Sequence, residues 1–337
     1  MKELKAMFDL ERHNTFKMKV KAQNGLFINT AEDLAKLDTD KYLILGSGSD
    51  VLFVDDYSGT VLINAIKSLE IKHEGNFYKV RAGGGILLDS LISELVAKGA
   101  YGLENLSAVP GTVGAAPVQN VGAYGAEIGD YIESVEFFDL STKKAGKLLK
   151  KDCLFAYRHS IFKEDLAKSW FITYVNFSLP DTFTPNFTYK GIAEEGLLSA
   201  KAVRDKIIAL RSAKLPDPKL VGNAGSFFKN PIVDKDTVEV IKSQYQDVPV
   251  YPFADGLYKL AAGWLIDRAG CRGITQGNAG TWEHQALVLV NRGGARPCEI
   301  ISLGKYICAK VKEKFAVDLY PEVRLIGKDG EVFWQDL

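Results

Sequence analysis

Three side chains of this 337-residue chain stand in settings that suit them to bond-making chemistry: Ser226, Arg158 and Glu322. Ser226 lies in residues 215–231, LPDPKLVGNAGSFFKNP, among small and amide residues directly ahead of two aromatics and a lysine. Prolines near both ends keep this stretch out of a helix interior. A serine held there can hand over a proton, although Gly222, Asn223, Gly225 and Ser226 are equally the residues of ordinary turns. Arg158, in KDCLFAYRHSIFK, has aromatic and apolar neighbours, so its guanidinium is expected to emerge from a packed element. Its planar fork suits a carboxylate, which accepts two parallel hydrogen bonds; the same setting also suits an arginine that lies along apolar surface and reaches solvent. Glu322 follows Pro321 and precedes Val-Arg-Leu-Ile, a context that fixes its direction. Lys214 and Asn230 flank the serine segment and offer a mobile charge and a neutral donor for a diphosphate, while as isolated residues both are ordinary surface.

Two glycine-rich stretches could cradle a ligand. In YLILGSGSDVLFVDD, residues 42–56, two apolar runs flank Gly46, Ser47, Gly48, Ser49 and Asp50, a loop whose backbone N–H groups can point at a phosphate. A Rossmann site needs a third glycine opening a helix, and here the loop leads into another extended run, so that fold is excluded; a glycine-rich hairpin turn stays open. Residues 101–129, YGLENLSAVPGTVGAAPVQNVGAYGAEIG, are almost uncharged. Such a backbone suits close wrapping around a large planar or phosphorylated group, and it fits flexible-linker chemistry poorly.

The length implies two or three domains. Lysine plus arginine balances aspartate plus glutamate at 42 each, so no global field attracts nucleic acid or an anionic membrane, and an anionic ligand must be held locally. Cys153, Cys271, Cys298 and Cys308 form no CxxC pair, and His13, His73, His159 and His284 lack ligand spacing; neither a metal site nor a disulfide framework is expected. The first residues lack the apolar run of a signal peptide, and no window approaches the roughly 20 apolar residues of a membrane helix, so the cytoplasm is expected.

The positioning elements follow from hydrophobic periodicity. Strands are expected over 17–29, 59–64, 69–82 with a turn at 74–76, 132–140 and 170–179, and a lysine-rich solvated hairpin over 143–151. Helices are expected over 31–37, over 87–98 with Leu87, Leu91 and Leu95 facing the core and Gly99 as cap, and over 199–213. The last third alternates: helices over 236–244, 260–269 and 297–315, with a buried strand over 285–290, make a compact α+β layer.

GNAGSFFKNP, with LPDPK before it, resembles the proton-donor segment of the UDP-N-acetylenolpyruvylglucosamine reductases, the flavoenzymes that make UDP-N-acetylmuramate for bacterial cell walls. GSGSDVLFVDD and VPGTVGAAPVQNVGAYG resemble the two FAD-contacting segments of the flavin fold that these reductases share with vanillyl-alcohol-type oxidases. YRHSIFK is similar to the family's YRxSxFK, and PEVR to its terminal glutamate context. The motifs fall in the family's order along nearly the whole chain. One residue departs from the pattern: Asp50 stands where asparagine is expected, and a carboxylate near a pyrophosphate is repulsive, so its side chain must point away or the loop must differ.

The resemblance implies an α+β fold: a two-lobed FAD-binding domain of the vanillyl-alcohol-oxidase (PCMH) type, with residues 1–66 and 318–337 as one lobe and 67–214 as the other, and a substrate-binding domain over 215–317. It implies NADPH as hydride donor, FAD as carrier and the enolpyruvyl UDP-sugar as acceptor, in ping-pong order. It assigns FAD contacts to Gly46, Ser47, Gly48, Ser49, Asp50, Pro110, Gly111, Thr112, Gly114, Ala115, Gln119, Asn120, Gly122, Ala123, Tyr124 and Gly125. Arg158 then clamps the substrate carboxylate, Glu322 stabilises the enol-like intermediate and Ser226 protonates carbon. Tyr189, Lys214, Asn230 and Gln285 hold the UDP-sugar, Tyr189 belonging to the extra loop, residues 182–190, that marks one form of the family. A monomer without nucleic-acid or membrane partners is expected. Two alternatives remain: another flavin oxidase of this fold, which would lack the Ser226 and PEVR segments, and a non-catalytic binder, which would lack Ser226, Arg158 or Glu322.

Overall fold

The computed structural model describes residues 7–189, 191–192 and 199–337. Lys190, the last residue of the expected 182–190 loop, and residues 1–6 lie outside the described residues. The chain forms two compact units: Asn24–Ser47 with Gly59–Arg211, and Met1–Gln23 with Gly48–Ser58 and Ser212–Leu337.

In the first unit, helix α1, Ala31–Ala35, starts at a reciprocal cap in which Thr30 and Asp33 accept each other's backbone N–H. A five-stranded antiparallel sheet runs in the order Lys144–Leu149, Ile132–Asp139, Trp170–Pro180, Phe77–Gly83, Leu69–Glu74. The last two strands turn at Gly75 and Asn76, with Glu74 opposite Phe77, as the sequence indicates. Helix α2, Leu88–Lys98, buries Leu88, Leu91, Ile92 and Leu95 and stops at left-handed Gly99. These side chains share one core with Val80, Ala82, Val135, Val175 and Phe177 of the sheet. Leu87, expected on the core face, is the N-cap and is 53% exposed; the apolar face begins one residue later. Helix α3, Ala200–Lys214, buries Val203 and Ile207.

The lysine-rich stretch is the expected exposed edge hairpin, stapled at its turn by Asp139. The Asp139 carboxylate accepts from Ser141 N (2.9 Å) and Oγ (2.7 Å), Thr142 Oγ1 (2.9 Å) and Ser169 Oγ (2.7 Å). Partial burial opposes the charge, but the bonds from Ser141, Ser169 and Thr142 outweigh it and hold the carboxyl well below the ordinary carboxylate range. A carboxyl depressed in the folded state stabilises above its unfolded pKa of about 3.9 and loses that contribution as pH falls toward the folded value. Asp139→Asn is therefore expected to lower stability at neutral pH and flatten the loss below about pH 4, as read by unfolding midpoints across an acid series.

Tyr42–Leu45 pairs in parallel with the Tyr57–Asn64 strand, Tyr42 opposite Thr60, whereas Val51–Phe53 pairs in parallel with Arg324–Gly327. The strands on either side of residues 46–50 thus enter different sheets, which removes the hairpin-turn alternative.

The second unit carries a four-stranded sheet in the order Gly222–Ser226, Gln285–Asn291, Ala279–Trp282, Thr275–Gln276. A small sheet of Ile232–Val233, Tyr258–Leu260 and Val250–Pro252 accompanies it. Helix α4, Lys235–Gln244, is capped by Asp234, whose side chain accepts from Thr237 N at 2.8 Å. Helix α5 is Ala262–Arg268; Leu260, expected inside it, ends the preceding strand. Helix α6, Pro297–Phe315, starts at its proline and buries Ile300, Leu303, Ile307, Val311 and Phe315. The strand expected over 17–29 begins at Lys21 and pairs with Phe8–Asp9.

Phe227 and Phe228 are fully buried, with ring centroids 4.9 Å apart and Trp334 6.0 Å and 6.4 Å away. Truncating such a side chain leaves a cavity, so Phe228→Ala is expected to cost about 3–5 kcal/mol of stability in a denaturant titration. All four cysteines are free, and among the described residues no helix is long and apolar enough to cross a membrane and no cluster of three or more His, Cys, Asp or Glu could hold a metal.

Candidate active site

In the first unit, residues 111–114 are stitched to residues 84–88. Leu88 N donates to Gly111 O (3.1 Å), Val113 N to Ile86 O (2.8 Å) and Gly114 N to Gly84 O (2.8 Å). This is pinned backbone, not a linker. A Cβ on Gly46 would lie 2.6 Å from Thr112 Oγ1, and one on Gly114 would lie 3.0 Å from both Gly84 Cα and Asn64 Nδ2. The Thr112 hydroxyl is buried with no hydrogen-bond partner among the described residues. An orphaned buried hydroxyl is costly, so a cradle of bare backbone ending in one fits a polar ligand that supplies the missing bond.

Asn120 works inside the fold. It is 1% exposed, its amide nitrogen donates to Glu127 Oε2 (2.6 Å) and Ala156 O (3.2 Å), and its amide oxygen accepts from Gly129 N (3.0 Å). It thereby ties residues 120–129 to the turn that carries Arg158. Buried Ser160 adds a second tie, Oγ to Val118 O at 2.6 Å.

Ala156 and His159 exchange two backbone hydrogen bonds of 3.1 Å, leaving Tyr157 and Arg158 at the tip of a two-residue turn. Arg158 has φ of 53°, a conformation that β-carbon crowding makes uncommon outside glycine and that clusters at functional sites. Its Nη2 donates to Gly122 O at 3.1 Å, which aims the guanidinium at the Gly122–Gly125 segment. Tyr124 in that segment meets Tyr189 edge-on at 5.0 Å between centroids. Arg158, Gly122, Ala123, Tyr124 and Tyr189 are therefore brought together.

Sequence reasoning missed the charged group beneath them. Arg204 grips Asp89 through two hydrogen bonds (2.5 Å and 3.1 Å), and Arg211 donates from Nε to Ala108 O (3.1 Å). Burial pushes the Arg211 guanidinium down, while Tyr124 beside it opposes that shift. Arg204 and Arg211 stand seven apart on α3, two turns along one face, which is the signal that could have found them. Glu104 was also missed: both its carboxylate oxygens accept from Gly102 N at 2.9 Å, and burial pushes its carboxyl up.

In the second unit, the Ser226 stretch is a strand, not a turn. Ser226 is opposite Val288, with an irregularity between Asn223 and Ser226 where Gly225 takes φ of 69°. Asn223 holds the irregularity open: its Oδ1 accepts from Gly225 N (2.9 Å) and its Nδ2 donates to Val221 O (2.8 Å) and Pro216 O (3.2 Å). Past the serine, Phe227 N donates to Leu287 O (2.9 Å), Glu322 N donates to Phe227 O (2.8 Å) and Lys229 N donates to Tyr320 O (2.9 Å). Residues 226–229 are thus an extended segment with 320–322 along one edge, which places Ser226 and Glu322 on neighbouring stretches of backbone.

Arg324 N donates to Asp50 O (3.1 Å), so the Gly48–Asp50 end of the glycine loop closes against the segment after Glu322. Gly48 takes φ of 64°, and a Cβ there would collide with the His13 carbonyl oxygen, so no other residue fits. Asn230 and Gln285 meet at the start of α5: Asn230 Oδ1 accepts from Ala262 N (2.9 Å), and a Cβ on Gly263 would lie 2.6 Å from Gln285 Oε1. Lys214 is exposed at the end of α3 and is not drawn into this group.

Residues 19–146 match the family model described as FAD binding domain, and residues 217–326 match the one described as UDP-N-acetylenolpyruvoylglucosamine reductase, C-terminal domain. The chain is 40% identical over 334 residues to the UDP-N-acetylenolpyruvoylglucosamine reductase of Pasteurella multocida, covering 97% of this chain and 98% of that one. It is 41% identical over 331 residues to the Escherichia coli K12 protein of the same name, covering 96% and 97%. Among solved structures, the UDP-N-acetylenolpyruvylglucosamine reductase of Thermus caldophilus superposes with a TM-score of 0.69 at 23% identity over 95% of this chain and 98% of that chain, a likeness of fold. The architecture is the expected α+β one, a FAD-binding domain of the PCMH type with a C-terminal α+β domain.

Proposed function

Because the chain belongs to the UDP-N-acetylenolpyruvoylglucosamine reductase family, we propose that it reduces the enolpyruvyl group of UDP-N-acetylenolpyruvylglucosamine to UDP-N-acetylmuramate, with FAD as bound cofactor and NADPH as hydride donor. Its place is then the cytoplasmic synthesis of peptidoglycan precursors, as a monomer. The observation that carries this reading is the seating of residues 226–229 beside 320–322, which gives the chain a hydroxyl and a carboxylate on adjoining backbone. The three-part division into 1–66 with 318–337, 67–214 and 215–317 belongs to the same proposal; the parallel pairing of Val51–Phe53 with Arg324–Gly327, which returns the chain end to an early strand, supports its first lobe.

The glycine cradle and the orphaned Thr112 hydroxyl fit FAD, with Gly46, Ser47, Pro110, Gly111, Thr112, Gly114, Ala115, Gln119 and residues 122–125 as its expected contacts; Gly48, Ser49 and Asp50 are assigned the same role by the family resemblance. Asn120 would act by holding that backbone in shape. When bound, FAD supplies the hydride relay between NADPH and the sugar.

Reduction adds a hydride to the terminal carbon of the enolpyruvyl double bond, and negative charge then develops on the α carbon and its carboxylate. Arg158 would hold that carboxylate through its fork, at low reorganisation cost because the turn already fixes it. Ser226 would deliver the proton to the α carbon, and Glu322 would orient or stabilise the enol-like species. Asn230, whose amide oxygen accepts from Ala262 N at the start of α5, would offer its NH2 to the UDP-sugar, together with Gln285, Lys214 and Tyr189.

The test is product analysis. With FAD, NADPH and the enolpyruvyl sugar, the purified protein is expected to convert the sugar to a species heavier by two hydrogens, read by mass spectrometry. NADPH consumption without that product would reject the substrate.

A further inference from the structure

The loop that carries Tyr189 is fastened to the Gly122–Gly125 segment by two asparagines that neither family motif includes. Asn105, 2% exposed, donates through its amide nitrogen to Tyr124 O (2.8 Å) and to Asn186 O (2.9 Å). Asn186 in turn donates from Nδ2 to Gly125 O at 3.0 Å, while its Oδ1 accepts from Thr188 N (3.1 Å) and Thr188 Oγ1 (2.7 Å). One residue on, the Tyr189 ring stands edge-on to Tyr124 at 80°. The fit is close: Gly125 has φ of 83°, and a Cβ there would collide with Thr188 Oγ1. A side chain at residue 125 would force Thr188 to shift.

We propose that Asn105 and Asn186 are positioning residues for substrate binding: they form a latch that seats Tyr189 against Tyr124 so that it meets the diphosphate of the UDP-sugar with little ordering left to do. The physical reason lies in the loop's own weakness. Tyr189 is 39% exposed and residues 182–189 have no helix or strand pairing, so without the latch the loop must be ordered when the substrate binds, which lowers affinity. Asn105 supplies a dry, buried donor pair that carbonyls on both segments need, and Asn186 adds the bond back to Gly125 and the local turn that aims the next residues. This rests on the reading of Tyr189 as a substrate contact.

Asn186 is the place to test it, since Asn105 is buried and its removal endangers the fold. The dissociation constant of UDP-N-acetylenolpyruvylglucosamine for the oxidised holoenzyme, without NADPH, is measured by calorimetry for wild type, Asn186→Ala, Tyr189→Ala and the double variant. Loss of three hydrogen bonds to this side chain is expected to weaken binding about tenfold in Asn186→Ala. Tyr189→Ala is expected to weaken it at least as much, and the double variant no further than Tyr189→Ala, because Asn186 acts through Tyr189. If Asn186→Ala binds as wild type while Tyr189→Ala does not, or if the two losses add, the latch is overturned. If Tyr189→Ala binds as wild type, the substrate role of Tyr189 fails and takes the latch with it.

Discussion

Ser226→Ala is expected to reduce flavin as fast as wild type on mixing with NADPH, and then to reoxidise it with the enolpyruvyl sugar about 10²- to 10⁴-fold more slowly, the range over which one general acid contributes. The split between half-reactions follows from what the side chain can do. A hydroxyl that protonates the substrate's α carbon has no part in accepting hydride from a nicotinamide. The substitution is mild for the fold, because Ser226 sits after an irregularity set by Asn223 and Gly225 and its neighbours Phe227 and Phe228 supply the buried contacts. Anaerobic stopped-flow absorbance reads both steps in one protein. Equal slowing of both would mean a disturbed flavin site, and no slowing of the second would remove Ser226 from proton transfer.

Arg158→Lys is expected to lower kcat/KM for the sugar by about 10- to 100-fold while leaving bound flavin and its reduction by NADPH in place, the loss corresponding to about 1.5–3 kcal/mol for a hydrogen bond to a charged group. Lysine keeps the charge and loses the fork. It also loses the bond to Gly122 O that aims the guanidinium, so the remaining charge is free to wander. The left-handed turn conformation strains Arg158, Lys and Met alike, so comparing Arg158→Lys with Arg158→Met in steady-state kinetics separates charge from geometry. Equal kinetics in Arg158→Lys and wild type would show that a point charge is enough and that the turn has another purpose.

What the sequence made legible was chosen by periodicity and by glycine. Helix α6 is read to its residue, because Pro297 opens it and an unbroken apolar stripe runs to Phe315. The Gly75-Asn76 turn and the Gly99 cap are equally local signals. The hairpin alternative at residues 46–50 fails for the opposite reason: which strand Val51–Phe53 chooses is decided by Arg324–Gly327, more than 270 residues away, and no local pattern encodes that. The turn alternative for Gly222–Ser226 fails likewise, since the partner is Gln285–Asn291. Residue types pointed to Arg158, Ser226 and Glu322, yet the supports Asn105, Asp89 and Arg211 carry no motif. They are polar residues whose partners lie far along the chain, so their importance appears only in the folded geometry.

The most direct test of the reductase reading is an anaerobic absorbance series on the purified protein, supplemented with FAD: first alone, then with NADPH, then with UDP-N-acetylenolpyruvylglucosamine. Flavin bands that bleach with NADPH and return on adding the sugar are expected. Bleaching without return would leave a flavoprotein with a different acceptor. Absence of flavin bands on the protein after FAD is added would contradict the cofactor and the reaction together.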